Sequence, residues 1–126
     1  MKTRLYWLCG AADLPADGAR GFSLARAGAD TDLIVIRRAG RVHAYLNRCP
    51  HTGVNLDWKP GEFLDSTGQS LQCSTHGALF RVADGYCIFG PCAGQSLAAI
   101  PIHEQDGLFS VRLPEPGEAG MKNPTA

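Results

Sequence analysis

No stretch of this chain sustains an apolar 3.6-residue rhythm for three helical turns, and that absence limits the folds open to it. Short runs of apolar and β-branched residues recur instead, each stopped by Gly, Pro or Asp. Residues 5–9 and 22–26 are two such runs, separated by ADLPADGARG, whose composition marks a loop or a single helical turn. Residues 33–36 and 42–46 flank RRAGR, a hairpin signal. Further runs occupy 70–72, 78–81, 86–89, 97–102 and 108–113. Short strands at close spacing predict an all-β fold, a sandwich or a barrel-like arrangement.

The 126 residues suit one domain. Twelve basic and twelve acidic side chains cancel, which argues against a nucleic-acid binder. The densest basic patch, Arg37, Arg38 and Arg41, reads as the solvated end of a hairpin. No apolar run approaches the ~20 residues of a membrane helix. Near the N-terminus Lys2 and Arg4 lead into an apolar stretch of only residues 5–8, short of the ~7–15 of an export signal. That segment is read as a first strand, and the expected compartment is the cytoplasm. Residues 114–126 carry three prolines and two glycines and are expected to be a disordered tail.

Two short segments carry the chemistry. RCPHTG (48–53) sets Cys49 and His51 two positions apart, and LQCSTHGALF (71–80) supplies Cys73 and His76. The constellation is Cys49-x-His51, 21 residues, then Cys73-x-x-His76. Two Cys/His pairs can furnish a four-ligand metal site, with Gly53 and Gly77 letting each loop turn tightly. The five cysteines, Cys9, Cys49, Cys73, Cys87 and Cys92, are odd in number and come without an export signal. They suit metal ligation better than a disulfide framework. A zinc site of two Cys and two His is chemically allowed, although zinc fingers usually pair like with like. One thiolate and one imidazole per loop suit a [2Fe–2S] cluster, with one iron on two cysteines and the other on two histidines. Chance clustering of the four residues is the remaining reading.

CPHTG and CSTHG resemble the two cluster-binding loops of Rieske iron–sulfur proteins. GPCAG (90–94) resembles that family's proline loop, and the likeness extends over residues 3–113. It implies that Cys49 and Cys73 bind the inner iron and His51 and His76 the outer one. Gly90 and Pro91 would shield the cluster without ligating it. The implied fold is a single domain, residues 1–113, built as an antiparallel β-sandwich with an inserted cluster-binding subdomain at about 47–91. The interval of 21 residues exceeds the family's usual ferredoxin-type spacing, and the excess is assigned to a surface hairpin in DWKPGEFLDSTGQS.

Respiratory members of the family have a disulfide between the loops, and a serine and a tyrosine that donate hydrogen bonds toward the cluster. Here the corresponding positions hold Val54 and Thr75, and Ala78 and Phe80, so neither the bridge nor the hydroxyls are available. Only 13 residues follow residue 113, so the catalytic domain of a ring-hydroxylating oxygenase is not expected. The resemblance therefore implies a low-potential, ferredoxin-like electron carrier. Its partners would be a flavin reductase and an oxygenase or similar acceptor, with no nucleic acid, membrane or small-molecule substrate. No catalytic residue is expected, and no Ser-His-Asp, phosphate-loop or dinucleotide fingerprint is seen. A non-catalytic small subunit of a reductase complex, like that of nitrite reductase, is the alternative, and a redox or metal sensor a third.

Other residues carry weaker signals. Cys87 and Cys92 flank the proline loop and are read as buried thiols, with a small disulfide as the minority reading. Cys9 is assigned to the core, His43 to a strand face and His103 to an exposed strand end. Trp58 and Phe63 either pack beneath the cluster subdomain or face a partner. Arg48 and Arg81 are read as solvated charges, with a docking role as the lesser reading.

Overall fold

A computed structural model describes residues 3–14, 18–25, 30–50, 55–57, 63–73 and 77–114. Among these residues run nine strands, β1 (Thr3–Gly10), β2 (Gly18–Leu24), β3 (Thr31–Arg38), β4 (Arg41–Leu46), β5 (Ser70–Gln72), β6 (Leu79–Arg81), β7 (Cys87–Phe89), β8 (Ile102–Gln105) and β9 (Leu108–Pro114). One 3₁₀ turn, Ala11–Asp13, follows β1, as the composition of that loop allowed. The strands form three antiparallel sheets, ordered β1-β9-β8, β2-β3-β4 and β5-β6-β7. The all-β expectation holds, and among the described residues no helix is long and apolar enough to cross a membrane.

The middle sheet is apolar on both faces. Four consecutive residues of β3, Leu33, Ile34, Val35 and Ile36, are completely buried. Successive strand residues point to opposite faces, so this run feeds two cores at once. Leu33 and Val35, with Ala44 of β4, pack against Leu8, Cys9, Phe109, Val111 and Leu113 of the β1-β9-β8 sheet. Ile34 and Ile36, with Tyr45, pack against Phe63, Leu71, Cys73, Phe80 and Leu97 on the other side. In β1 the adjacent Leu8 and Cys9 are both buried, because a register shift between Trp7 and Cys9 breaks the alternation.

Two hairpins turn on two-residue loops with both central residues at positive φ. Ala39 (53°) and Gly40 (77°) join β3 to β4, and Asp106 (54°) and Gly107 (77°) join β8 to β9. These are the type I′ turns whose twist matches paired strands. Asp tolerates this region, whereas the Cβ of Ala pays for it. The arginines at the first hairpin are not simply solvated. Arg37 Nη2 donates to the Ala11 carbonyl at 3.1 Å, and its guanidinium lies 5.8 Å from the Phe109 ring centroid. Arg38 Nη2 donates to the Gly68 carbonyl at 2.6 Å. Both therefore tie the hairpin to neighbouring turns, which corrects the solvated reading.

The strand expected over 97–102 is the clearest displacement. Its first part pairs loosely with β4, through Leu46 N–H to Ala98 O and Ile100 N–H to Ala44 O, both 2.9 Å. Beyond Ile100 the pairing with β4 ends; the Pro101 carbonyl accepts the Arg112 N–H at 3.0 Å, and the chain joins β9, forming β8 five residues later than expected. The switch lets one segment bridge two sheets. Of the expected hairpin in 57–70, the 65–70 part is a tight turn in which Asp65 Oδ1 accepts from Thr67 Oγ1 (2.8 Å) and from Gln69 N–H (3.2 Å). The expected tail lies outside the described residues beyond Pro114.

Tyr45 closes the second core. Its hydroxyl donates to the Val82 carbonyl at 2.6 Å, and its ring lies 2.8 Å from where a Cβ on Gly85 would sit. Gly85, at φ 75°, is thus required both by conformation and by space. Burial, and secondarily the charge of Asp84, push the Tyr45 phenol up from 10.0 to about 12. Its folded pKa is raised, so its contribution is complete below pH 10 and is lost as pH rises towards 12. Tyr45→Phe should destabilise the neutral protein by about 1 kcal/mol. The gap between wild type and variant should close between pH 10 and 12 in chemical denaturation. Ala39→Asn, which relieves the left-handed Ala, should stabilise by about 1 kcal/mol in the same assay; unchanged stability would contradict the strain.

Candidate metal centre

The first loop leaves the end of β4 at Asn47, the one buried polar residue among those described. Its Oδ1 accepts the Leu56 N–H at 2.8 Å, its Nδ2 donates to Asp57 Oδ1 at 2.8 Å, and its backbone N–H reaches Asp32 O at 2.9 Å. Asn47 thereby clamps the two ends of the segment that carries Cys49 and His51. A single amide does what an apolar residue could not, because Leu56 N–H is buried and needs an acceptor. Cys49, two residues on, is completely buried.

The second loop leaves β5 directly into Cys73, also completely buried. The backbone closes on itself here: Cys73 N–H donates to Ala78 O at 2.9 Å and Gly77 N–H to Cys73 O at 2.8 Å. Gly77 takes φ 72°, as the tight turn predicted. Beyond it, Ala78 and Phe80 are fully buried in the same apolar core as both cysteines.

The GPCAG segment follows β7 as a succession of turns, with Ala93 N–H to Gly90 O at 3.1 Å and Gln95 N–H to Cys92 O at 2.9 Å. Gly90 sits at φ 103°, and a Cβ there would lie 2.9 Å from the Cα of Ala78. The proline loop is therefore laid directly on the backbone of the second loop, a contact only glycine permits. Pro91 is exposed, while Cys92 turns inward and places its Sγ 3.4 Å from that of Cys49. Next to this loop Ile88 and Phe89 are exposed, Phe89 by 65%.

The structure thus gathers Cys49, Cys73, Gly90 and Ala78 in one place. His51, Thr52, Gly53, Val54, Trp58, Thr75 and His76 lie outside the described residues. Among the described residues no three of His, Cys, Asp and Glu come together as a metal-binding group. The described donors nonetheless fit a cluster. Two soft thiols stand at the roots of two loops in one dry core, and thiolates in such surroundings need metal charge to offset their burial.

The weaker signals sort themselves. None of the five cysteines is in a disulfide; Cys87 donates to the Phe89 carbonyl at 3.3 Å rather than meeting Cys92. Burial, then the charge of Asp13, push the Cys9 thiol upward, as befits an inert core cysteine. His43 lies on β4 opposite Ile36, and burial followed by Arg41 lowers its pKa. His103 is exposed on β8. Phe63 is buried, so close to Gly21 that a Cβ there would be 2.8 Å from its ring. Arg81 is not a free docking charge: it pairs with Asp84 through two hydrogen bonds of 3.0 and 2.8 Å and stacks 5.1 Å from the Tyr86 centroid. That pair draws the Asp84 carboxyl down to about 2. Sequence reasoning missed Asn47 and the approach of Cys92 to Cys49. The sole hint of the latter was a surplus of cysteines over the two a cluster takes.

Comparison with known proteins places this geometry. The family profile of the Rieske [2Fe-2S] domain matches residues 4–108. A curated relative, Oxidoreductase NdmD of Pseudomonas putida, is 29% identical over 85 residues, covering 62% of this chain and 14% of that protein. The terminal oxygenase of carbazole 1,9a-dioxygenase from Novosphingobium sp. KA1 superposes with a TM-score of 0.70 at 23% identity, over 86% of this chain and 29% of that one. A chain from the complex of reduced oxygenase and oxidized ferredoxin in carbazole 1,9a-dioxygenase gives 0.66 at 24% identity, over 85% of this chain and 91% of that one. The chain thus spans a small part of the first two proteins and nearly all of the third. At these identities the solved structures speak for the fold. The profile match over most of the length does more: this chain belongs to the Rieske [2Fe-2S] domain family.

Proposed function

We propose that the chain is a one-electron carrier whose Rieske [2Fe–2S] cluster is held by Cys49 and Cys73 at the inner iron and by His51 and His76 at the outer one. The observation that carries this reading is the pair of fully buried cysteines at the roots of two loops in a single apolar core. When bound, the cluster supplies reversible one-electron oxidation and reduction. The chain's own residues do the rest. The core around Cys49 and Cys73 excludes water, and Asn47 and the Gly77 turn fix where each loop begins. Gly90 and Pro91 cover the site without ligating it. Residues 1–113 act as one unit, with about 47–91 as its cluster-bearing part.

The partner proposed is an oxygenase or similar acceptor, with a flavin reductase as electron source. The likeness to a chain from an oxygenase–ferredoxin complex, matched over 91% of that chain, supports it. Exposed Ile88 and Phe89 beside the proline loop offer an apolar surface for such a partner. The proposed compartment is the cytoplasm, where cysteines outside disulfides are stable.

Hydrogen bonds to cluster and cysteine sulfurs favour the reduced state, and Ala78 and Phe80 have no hydroxyl to give. The potential should lie low in the family's span of roughly −150 to +300 mV, and a value above about +200 mV would refute the donor account. Ala78→Ser combined with Phe80→Tyr should raise it. The primary test is the purified protein: a red-brown colour and a mixed-ligand [2Fe–2S] EPR signal on reduction are expected, and a colourless, zinc-loaded protein would overturn the reading. Gly90→Ala should lift the proline loop from Ala78 and speed bleaching of the cluster severalfold. Asn47→Ala should do likewise and also cost about 1–3 kcal/mol of stability, through the orphaned Leu56 N–H. Time-resolved visible absorbance and denaturant titration check the two effects.

A further inference from the structure

We propose that Cys92 is a positioning residue: its thiol donates an S–H···S hydrogen bond to the Cys49 sulfur and thereby raises the centre's reduction potential. This rests on the reading of Cys49 as a cluster ligand. The two Sγ atoms are 3.4 Å apart, and both residues are completely buried. A ligating Cys49 is a thiolate and carries no proton, so the hydrogen in the pair can come only from Cys92. Neither residue has surface open to bulk solvent.

The placement of Cys92 is built into the fold. Gly90 lies on the Ala78 backbone, and the turn is closed by Ala93 N–H to Gly90 O and Gln95 N–H to Cys92 O. The neighbouring thiol of Cys87 is directed elsewhere, to the Phe89 carbonyl at 3.3 Å. Of the two cysteines flanking the proline loop, one faces the cluster ligand and the other its own strand. The inward one supplies a donor in a chain where Ala78 and Phe80 supply none. A sulfur acceptor gains charge when the centre is reduced, so a donor to it stabilises the reduced state. A thiol is a weaker donor than a hydroxyl, so the gain is modest.

The test compares the holo-protein with Cys92→Ala, Cys92→Ser and Cys87→Ala, reading cluster content by iron analysis and EPR, and midpoint potential by redox titration. Cys92→Ala should keep its cluster and shift to lower potential. The one-electron equilibrium constant should fall by up to about tenfold, ~59 mV. Cys92→Ser, which restores a donor, should recover part or all of the shift, and Cys87→Ala should leave the midpoint unchanged. If Cys92→Ala fails to load, Cys92→Val takes its place as a donor-free residue of similar size. An unmoved midpoint in a loaded donor-free variant overturns the proposal, as does a serine variant that behaves like the donor-free one. A wild-type protein without a cluster signal removes the ligand reading itself, and this inference with it.

Discussion

The burial of β3 on both faces is the constraint on which everything else rests. A strand with Leu33, Ile34, Val35 and Ile36 fully buried cannot lie at the surface of a two-layer sandwich. It must be covered twice. Its odd-numbered side chains draw in the β1-β9-β8 sheet, and its even-numbered ones draw in the β5-β6-β7 sheet with the two cysteine loops. At roughly 1.5–3 kcal/mol for each large aliphatic side chain buried, this strand alone contributes a substantial part of the driving force. The candidate centre thus shares its floor with the fold itself.

Polar groups then decide how the loops sit on that floor. Asn47 holds both ends of the first loop, and the backbone bonds between Cys73, Gly77 and Ala78 hold the second. Gly90 permits the third loop to lie on the second at a distance no Cβ would allow. Ordering of this kind matters for a redox centre. Sulfur donors and water exclusion tune a potential only when they are held in place before and after the electron arrives.

Much of the strand pattern could be read from residues, because turns in this chain are signalled by Gly and Asp at sharp intervals. The run 70–72 became β5 without change, and RRAGR became a two-residue hairpin loop. The run 97–102 was misplaced because apolar content cannot say which neighbour a strand will join. That is settled only once β4 and β9 are both in place, with Ile100 N–H donating to Ala44 O and Pro101 O accepting from Arg112 N–H. Arg37 and Arg38 were read as solvated because their acceptors, the carbonyls of Ala11 and Gly68, lie 26 and 30 residues away in sequence. Asn47 was passed over for the same reason, since an amide next to a strand carries no signal until its buried partners are known.

The sequence by itself determined the all-β class and the Cys-x-His and Cys-x-x-His pairs, because strand alternation and ligand spacing are local properties of a few adjacent residues. The lack of hydroxyls at 78 and 80 is likewise plain from residue type. Only the tertiary structure decided that β3 serves two cores, that Gly90 rests on Ala78, and that Cys92 rather than Cys87 meets Cys49. These depend on surfaces brought together across separations from 12 residues (Ala78 to Gly90) to 80 (Leu33 to Leu113). Packing distances of that kind are set by the whole fold and by no single segment of it.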